Sequence, residues 1–314
     1  MLCDLDLLAL LALRASVGPR GHDLAHALCL CPRPWAVLQT GRWCPAAAAW
    51  QLATRQLHAL RALGLRVVPA FALPPWARRL RPLPVALFVR GQLGLLRRRG
   101  VAIVGSRRAT MAACSWSLAR AASLAESGCL VISGGALGID GAAHRGALQR
   151  GGLTLVYLGG SIDDARPVQH RSLFQAILLA GGALVSEHPP LTESRPYHYA
   201  LRNRLIAAQA RLLWVAEAGV RSGTLNTAGW AHSLEVPIQV APALGQERGG
   251  LRLLTERGWA TPWRALSSSS RLDRQPAAAA ATSGPGSVRT SGPKPGPCFT
   301  SLQAGTGGGA RHSS

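Results

Sequence analysis

Val101-Ala-Ile-Val-Gly-Ser-Arg-Arg108 decides how this chain folds. Apolar, mostly β-branched residues run straight into Gly105-Ser106-Arg107, and a helix-like segment follows from about residue 110 to 127. The pattern is a buried strand, a small-residue turn and a helix. Such a junction points backbone N–H groups at whatever lies beyond the strand, and an anion suits them best. Ser106 adds a hydroxyl donor, and Arg107 adds a planar fork that matches phosphate. Neither a Walker lysine nor the G-x-G-x-x-G spacing of a dinucleotide fingerprint is present at this turn.

The pattern repeats on either side. Apolar strands are expected at 101–104, 129–132, 153–158, 183–186, 211–216 and 237–240, separated by helical stretches at 110–127, 139–150, 169–180, 201–209 and 224–235. Short buried strands alternating with helices predict an α/β fold, a Rossmann-like, doubly wound parallel sheet, over 101–264. Ligands of such sheets sit outside the carboxyl ends of the strands. Upstream, residues 1–70 read as a small helical domain, with helices at 7–13, 22–30 and 46–63 and a Val17–Gly21 turn carrying Arg20. Residues 71–100 read as a proline-rich connector with a short strand at 86–89, and 265–314 as a disordered low-complexity tail.

The formal charge is +21, made of +11 from residues 1–100, +6 from 101–264 and +4 from the remainder. Such a balance favours a polyanion, most simply nucleic acid. Part of it is compositional, because arginine dominates and Lys294 is the one lysine. The seven cysteines are irregularly spaced, and Cys29-x-Cys31 is too tight for a zinc pair. They read as reduced, mostly buried thiols of a cytoplasmic protein with no metal and no cofactor. The apolar run at 7–13 is too short to span a bilayer and follows Asp4 and Asp6, so no membrane association is expected.

The residues after each strand carry the functional signal. Ser133-Gly134-Gly135 opens a second Gly-rich turn, with Asp140 placed to cap the next helix and His144 read as a packed histidine. Glu187, after 183–186, is expected to tie down backbone. Arg202-Asn203-Arg204 begins a helix and suits a phosphate plus a base or sugar edge. Tyr197 and Tyr199 lie just upstream, and either could stack on a base. Ser222-Gly223-Thr224 opens the following helix as a third phosphate-shaped turn. Together these turns describe a groove of anion donors along one sheet edge.

Val101–Arg107, Ser133-Gly-Gly-Ala-Leu-Gly-Ile-Asp140, Ala142-Ala-His-Arg-Gly-Ala147, Ser186-Glu-His-Pro-Pro190, Arg202-Asn-Arg-Leu-Ile-Ala207 and Ser222-Gly-Thr-Leu-Asn-Thr-Ala228 occur in this order. The series resembles the DNA-processing protein A family (DprA, or Smf), closely over 86–245 and loosely over the helical N-terminus. The resemblance implies a sterile-alpha-motif-like helical domain before an extended Rossmann domain. It also implies a homodimer that binds single-stranded DNA and hands it to the RecA recombinase during natural transformation, without catalysis. Carried over, Ser106, Arg107 and the Gly105 amide would contact phosphate, Arg202, Asn203 and Arg204 would line the pocket, and Ser222, Gly223 and Thr224 would close its far side. The chain departs from the family pattern at Tyr199-Ala-Leu201, Leu205–Ala210, Arg166-Pro167 and Gly249–Leu254. Its low-complexity tail stands where a winged-helix domain is often found.

A phosphoribohydrolase-like enzyme of the lysine-decarboxylase-like Rossmann group is the alternative. It would carry a glutamate after the Gly-Thr turn, where this chain has Leu225, Asn226 and Thr227. Asp140 and Glu217 are the carboxylates left for such chemistry. A scaffold without a nucleic-acid role is the third reading.

Overall fold

A computed structural model describes residues 2–17, 21–243 and 249–264, without the side chain of His22. The expected turn at 18–20 and the tail at 265–314 lie outside the described residues. The chain opens with helices α1 (Asp4–Val17), α2 (Gly21–Leu30), α3 (Pro34–Gln39) and α4 (Ala47–Ala62). The leucine-rich run explains α1: Leu10, Leu11 and Leu13 are fully buried, which removes apolar surface from water on the face turned to its neighbours. Helix α3 went unread because it is short; Pro34 in its first turn fits the preset φ of a helix start.

Nine strands form one sheet in the order β1-β2-β6-β5-β4-β3-β7-β8-β9. They are β1 (Arg66–Pro69), β2 (Ala86–Gly91), β3 (Gly100–Gly105), β4 (Val131–Ser133), β5 (Thr154–Tyr157), β6 (Ala183–Ser186), β7 (Ala210–Glu217), β8 (Ile238–Val240) and β9 (Thr261–Pro262). All pairs from β6 to β9 are parallel, whereas β1 and β2 join antiparallel at the edge. Strands β1 and β9 were not expected. The segment read as a connector therefore supplies β2 to the sheet, and the helices and sheet belong to one compact unit.

Helices α6 (Met111–Glu126), α7 (Ile139–Gln149), α8 (Arg171–Leu179), α9 (Pro196–Gln209), α10 (Gly223–Ser233) and α11 (Gly250–Glu256) connect the parallel strands, with α5 (Pro75–Arg78) outside that series, between antiparallel β1 and β2. Alternation along β3 explains the double winding. Val101 and Ile103 pack with residues of α6 and α7, while Ala102 and Val104 belong to the cluster on the opposite face. Trp116 of α6, Trp214 of β7 and Trp263 meet edge-to-face, with centroids 5.9 to 6.3 Å apart, and fasten α6 to the sheet.

The order reverses between β3 and β7. To one side the chain winds through β4, β5 and β6, and to the other through β8 and β9. That switch point opens a crevice beyond the carboxyl ends of β3 and β7, where ligands of doubly wound sheets bind.

Candidate nucleic-acid interface

Gly105 and Glu217 end the two switch-point strands in register. The Ser106 amide donates to the Glu217 carbonyl at 2.9 Å, so this backbone donor is engaged. The Thr110 amide donates to Glu217 Oε2 at 2.8 Å, and the Thr110 hydroxyl caps α6 by accepting from the Ala113 amide. Ser106 Oγ accepts from the Arg108 amide at 3.2 Å, which leaves its proton to donate outward. Arg107 is exposed, and its guanidinium lies 5.7 Å over the Tyr199 ring. The turn that carries it is gripped from beneath. Gly138, at φ 76°, faces the Ser106–Arg107 backbone, and a Cβ there would lie 2.8 Å from the Arg107 carbonyl oxygen.

The second Gly-rich turn is a structural anchor. The Ser133 hydroxyl is buried and donates to the Ile103 carbonyl at 2.6 Å. Gly135 is held by His170, whose Nδ1 donates to the Gly135 carbonyl at 2.9 Å. Asp140 does not cap α7. Its carboxylate accepts the Ala136 amide at 3.2 Å and so ties the turn itself. Burial pushes the Asp140 carboxyl up, against the pull of Arg202 and the Ala136 amide. His144 is fully buried and packed, as expected. The Thr154 hydroxyl donates to the Val131 carbonyl, so it accepts from His144 Nδ1 at 2.7 Å. Burial, reinforced by His170, Arg145 and Arg202, lowers His144 to about 3, and the ring is neutral.

The Arg-Asn-Arg triplet sits differently from its expected place. Helix α9 begins at Pro196, not 201, so the triplet lies in mid-helix and is buried. Arg202 Nη1 donates to the carbonyls of Gly134, at 2.7 Å, and Tyr157, which clamps the ends of β4 and β5. A Cβ on Gly134 would lie 2.7 Å from that nitrogen, so a larger residue there would have to displace the guanidinium. Burial lowers Arg202 to about 10, with Asp140 opposing and Arg107 assisting; it stays charged at neutral pH. Asn203 accepts from Arg202 Nε and donates to the Gly223 carbonyl at 3.1 Å and to Asn226 Oδ1 at 3.2 Å, which joins α9 to the start of α10. Arg204 is 1 % exposed, and both terminal nitrogens are held by Glu187, at 2.5 and 2.7 Å. Its fork is therefore closed to phosphate, and Glu187 binds a side chain rather than the backbone expected of it.

Tyr199 is half-buried, and its ring covers Gly159 at the end of β5. At the far side of the crevice, Gly223 and Thr224 open α10, where amides lack intrahelical acceptors. Ser222 Oγ is shielded from solvent and makes no hydrogen bond within the described residues. The structure thus brings Ser106, Arg107 and Tyr199 to one side of the switch point and Ser222, Gly223 and Thr224 to the other. Gly105, Ser133, Gly134, Gly135, Arg202, Asn203 and Arg204 lie beneath as its frame.

Two features escaped the sequence reading. Arg14 of α1 faces Glu187, and Arg204, Tyr197 and the stacked rings of His188 and His198, 3.8 Å apart, share this junction. Burial, then Arg14 and His198, lowers His188 to about 3. Its only sequence signal was that Glu187 and His188 directly follow a strand. The thiols differ from the expectation of mostly buried groups: among the described cysteines Cys3, Cys29 and Cys44 are exposed and only Cys129 is buried. Among the described residues no cluster of three or more His, Cys, Asp or Glu could hold a metal, and no helix is long and apolar enough to cross a membrane.

Fold and site define a Rossmann-like domain whose switch-point turns carry the exposed Arg107 and the start of α10. The chain belongs to the DNA recombination-mediator protein A family, whose family model matches residues 69–268. It is 39% identical over 155 residues to protein Smf of Escherichia coli and 39% identical over 148 residues to DNA processing protein DprA of Streptococcus pneumoniae. The matched segments span 41% and 50% of those relatives, so the chain covers half of their length or less. The solved structure of Streptococcus pneumoniae DprA superposes with a TM-score of 0.58 at 26% identity, over 81% of this chain and 88% of that one. A structure of Helicobacter pylori DNA processing protein A, described for its single-stranded DNA binding mode, gives 0.58 at 28% identity, over 63% and 90%.

Proposed function

We propose that this chain binds single-stranded DNA along the carboxyl edge of the sheet and, as a cytoplasmic homodimer, delivers it to the RecA recombinase during natural transformation, without catalysing a reaction. In this reading 101–264 is the DNA-binding part and 1–70 a helical module docked on it. The observation that carries it is the exposed Arg107, stacked on Tyr199 at the switch point. Opposite stands an α-helix start whose Ser222 hydroxyl has no partner among the described residues. A cation over an aromatic ring offers a phosphate fork beside a base platform, and a helix N-terminus takes a second phosphate. The single-stranded DNA binding described for the Helicobacter pylori protein supports the reading. The nearest carboxylates have structural partners, Asp140 the Ala136 amide and Glu217 the Thr110 amide, which gives the enzyme alternative no support.

Fluorescence anisotropy of a labelled oligothymidine against a matched duplex, across a salt series, tests it. Tight single-strand preference with a steep salt slope is expected, since phosphate neutralisation releases counterions. Weak and equal binding to both would overturn it.

A further inference from the structure

Beside the start of α10 lies a cavity of about 400 Å³, within the size range of small-ligand sites. Its lining includes Trp230, Trp259, Val220 and Gly229, and Asn226 and Arg257 supply the polar groups. Nothing in the groove described above uses it. We infer that this cavity is a nucleobase subsite that takes a base of the strand whose phosphate rests on Ser222–Thr224; the inference builds on the proposed single-stranded DNA binding.

Several observations point to a base. The indole of Trp259 is held in plane by His232, stacked at 4.7 Å and 12°, and Arg257 lies 5.1 Å over the same indole. With Trp259 already covered by these two groups, the platforms offered to a base are the Arg257 guanidinium plane and the Trp230 indole. Asn226 Oδ1 accepts from Asn203, so the Asn226 NH2 group remains to donate to a base carbonyl. The lining holds one cation and no carboxylate. Val220 is 56 % exposed at the mouth, an apolar side chain left in water beside a polar groove. The cavity is also continuous with the phosphate site. Asn226 and Trp230 stand one and two turns along the helix whose first residues are Gly223 and Thr224, and the Asn203–Asn226 bond ties the two places together.

The test compares oligothymidine with an abasic deoxyribose-phosphate strand of equal length, on wild type, Trp230→Ala and Gly229→Leu. The second variant guards against a folding loss. Gly229 sits within α10, its added Cβ would meet only Trp259 at 3.8 Å, and a leucine there fills the cavity while favouring helix. Wild type should prefer oligothymidine over the abasic strand, and both variants should reduce that preference about tenfold, the scale of one base–aromatic contact, with binding of the abasic strand unchanged. Equal losses for both strands, or an unchanged preference, would overturn the subsite while the phosphate groove stands. A change of oligomeric state in Gly229→Leu, read by light scattering with base preference intact, would assign the cavity to a protein contact and also overturn it. Absence of salt-dependent binding of either strand by wild type would fell the groove reading first.

Discussion

Arg204 and Arg107 belong to one groove in the sequence and to different physical worlds in the structure, and Arg204→Ala separates them. Arg204 is 1 % exposed and closes a two-pronged pair with Glu187, with weaker bonds from its side chain to the carbonyls of Pro82 and Leu201 at 3.3 Å. Removing it strands a buried carboxylate. Breaking one side of a buried pair costs about 3–5 kcal/mol, a large part of a total stability of roughly 5–15 kcal/mol. Guanidinium denaturation should show a lower midpoint with an unchanged slope. The double variant Arg204→Met with Glu187→Leu should recover part of the loss, because it removes the stranded carboxylate, while Arg14 loses the carboxylate it faces. DNA affinity of the folded fraction should change little. An Arg204→Ala protein as stable as wild type but weakened in DNA binding would refute the assignment of this arginine to the frame.

The other perturbations probe the frame and its protonation. Gly138→Ala places a Cβ 2.8 Å from the Arg107 carbonyl at φ 76°, so the turn must shift; about 1–3 kcal/mol should be lost, and single-strand affinity should fall with it in anisotropy. His144 and His188 are each lowered to about 3 from an ordinary value near 6.5. Both must be neutral in the fold, so their stabilisation is full above pH 6.5 and is lost as pH falls toward 3. Each should contribute a slope approaching about 1.4 kcal/mol per pH unit in that window, and His144→Gln should remove its share in urea titrations at pH 7, 6 and 5.

The parallel core was legible because strand length, β-branching and alternation all agree along segments such as Val101–Val104, whose neighbouring residues must face opposite helical layers. The strand-end turns were legible because glycine there answers a local demand. Strand β1, Arg66-Val-Val-Pro69, has too little periodicity and a terminal proline, and only its pairing with β2 makes it a strand. The triplet Arg202–Arg204 shows where sequence reading stops. Charge and spacing are visible, but the partner of Arg204 stands on another element, and burial turned a phosphate fork inward. Asp140 was misassigned for the same reason: its partner amide lies upstream, at Ala136, and not in the helix it begins.

In the proposed function the exposed Arg107 over Tyr199 meets the phosphates of a single strand, and the salt slope of Arg107→Ala reads that contact. One phosphate contact fewer should reduce the magnitude of the slope of log K against log salt by about 0.7. A lost charge-assisted bond of about 1.5–3 kcal/mol should weaken binding roughly 10- to 100-fold at moderate salt, alike for every strand sequence. The same slope and the same affinity as wild type would exclude Arg107 as a phosphate contact.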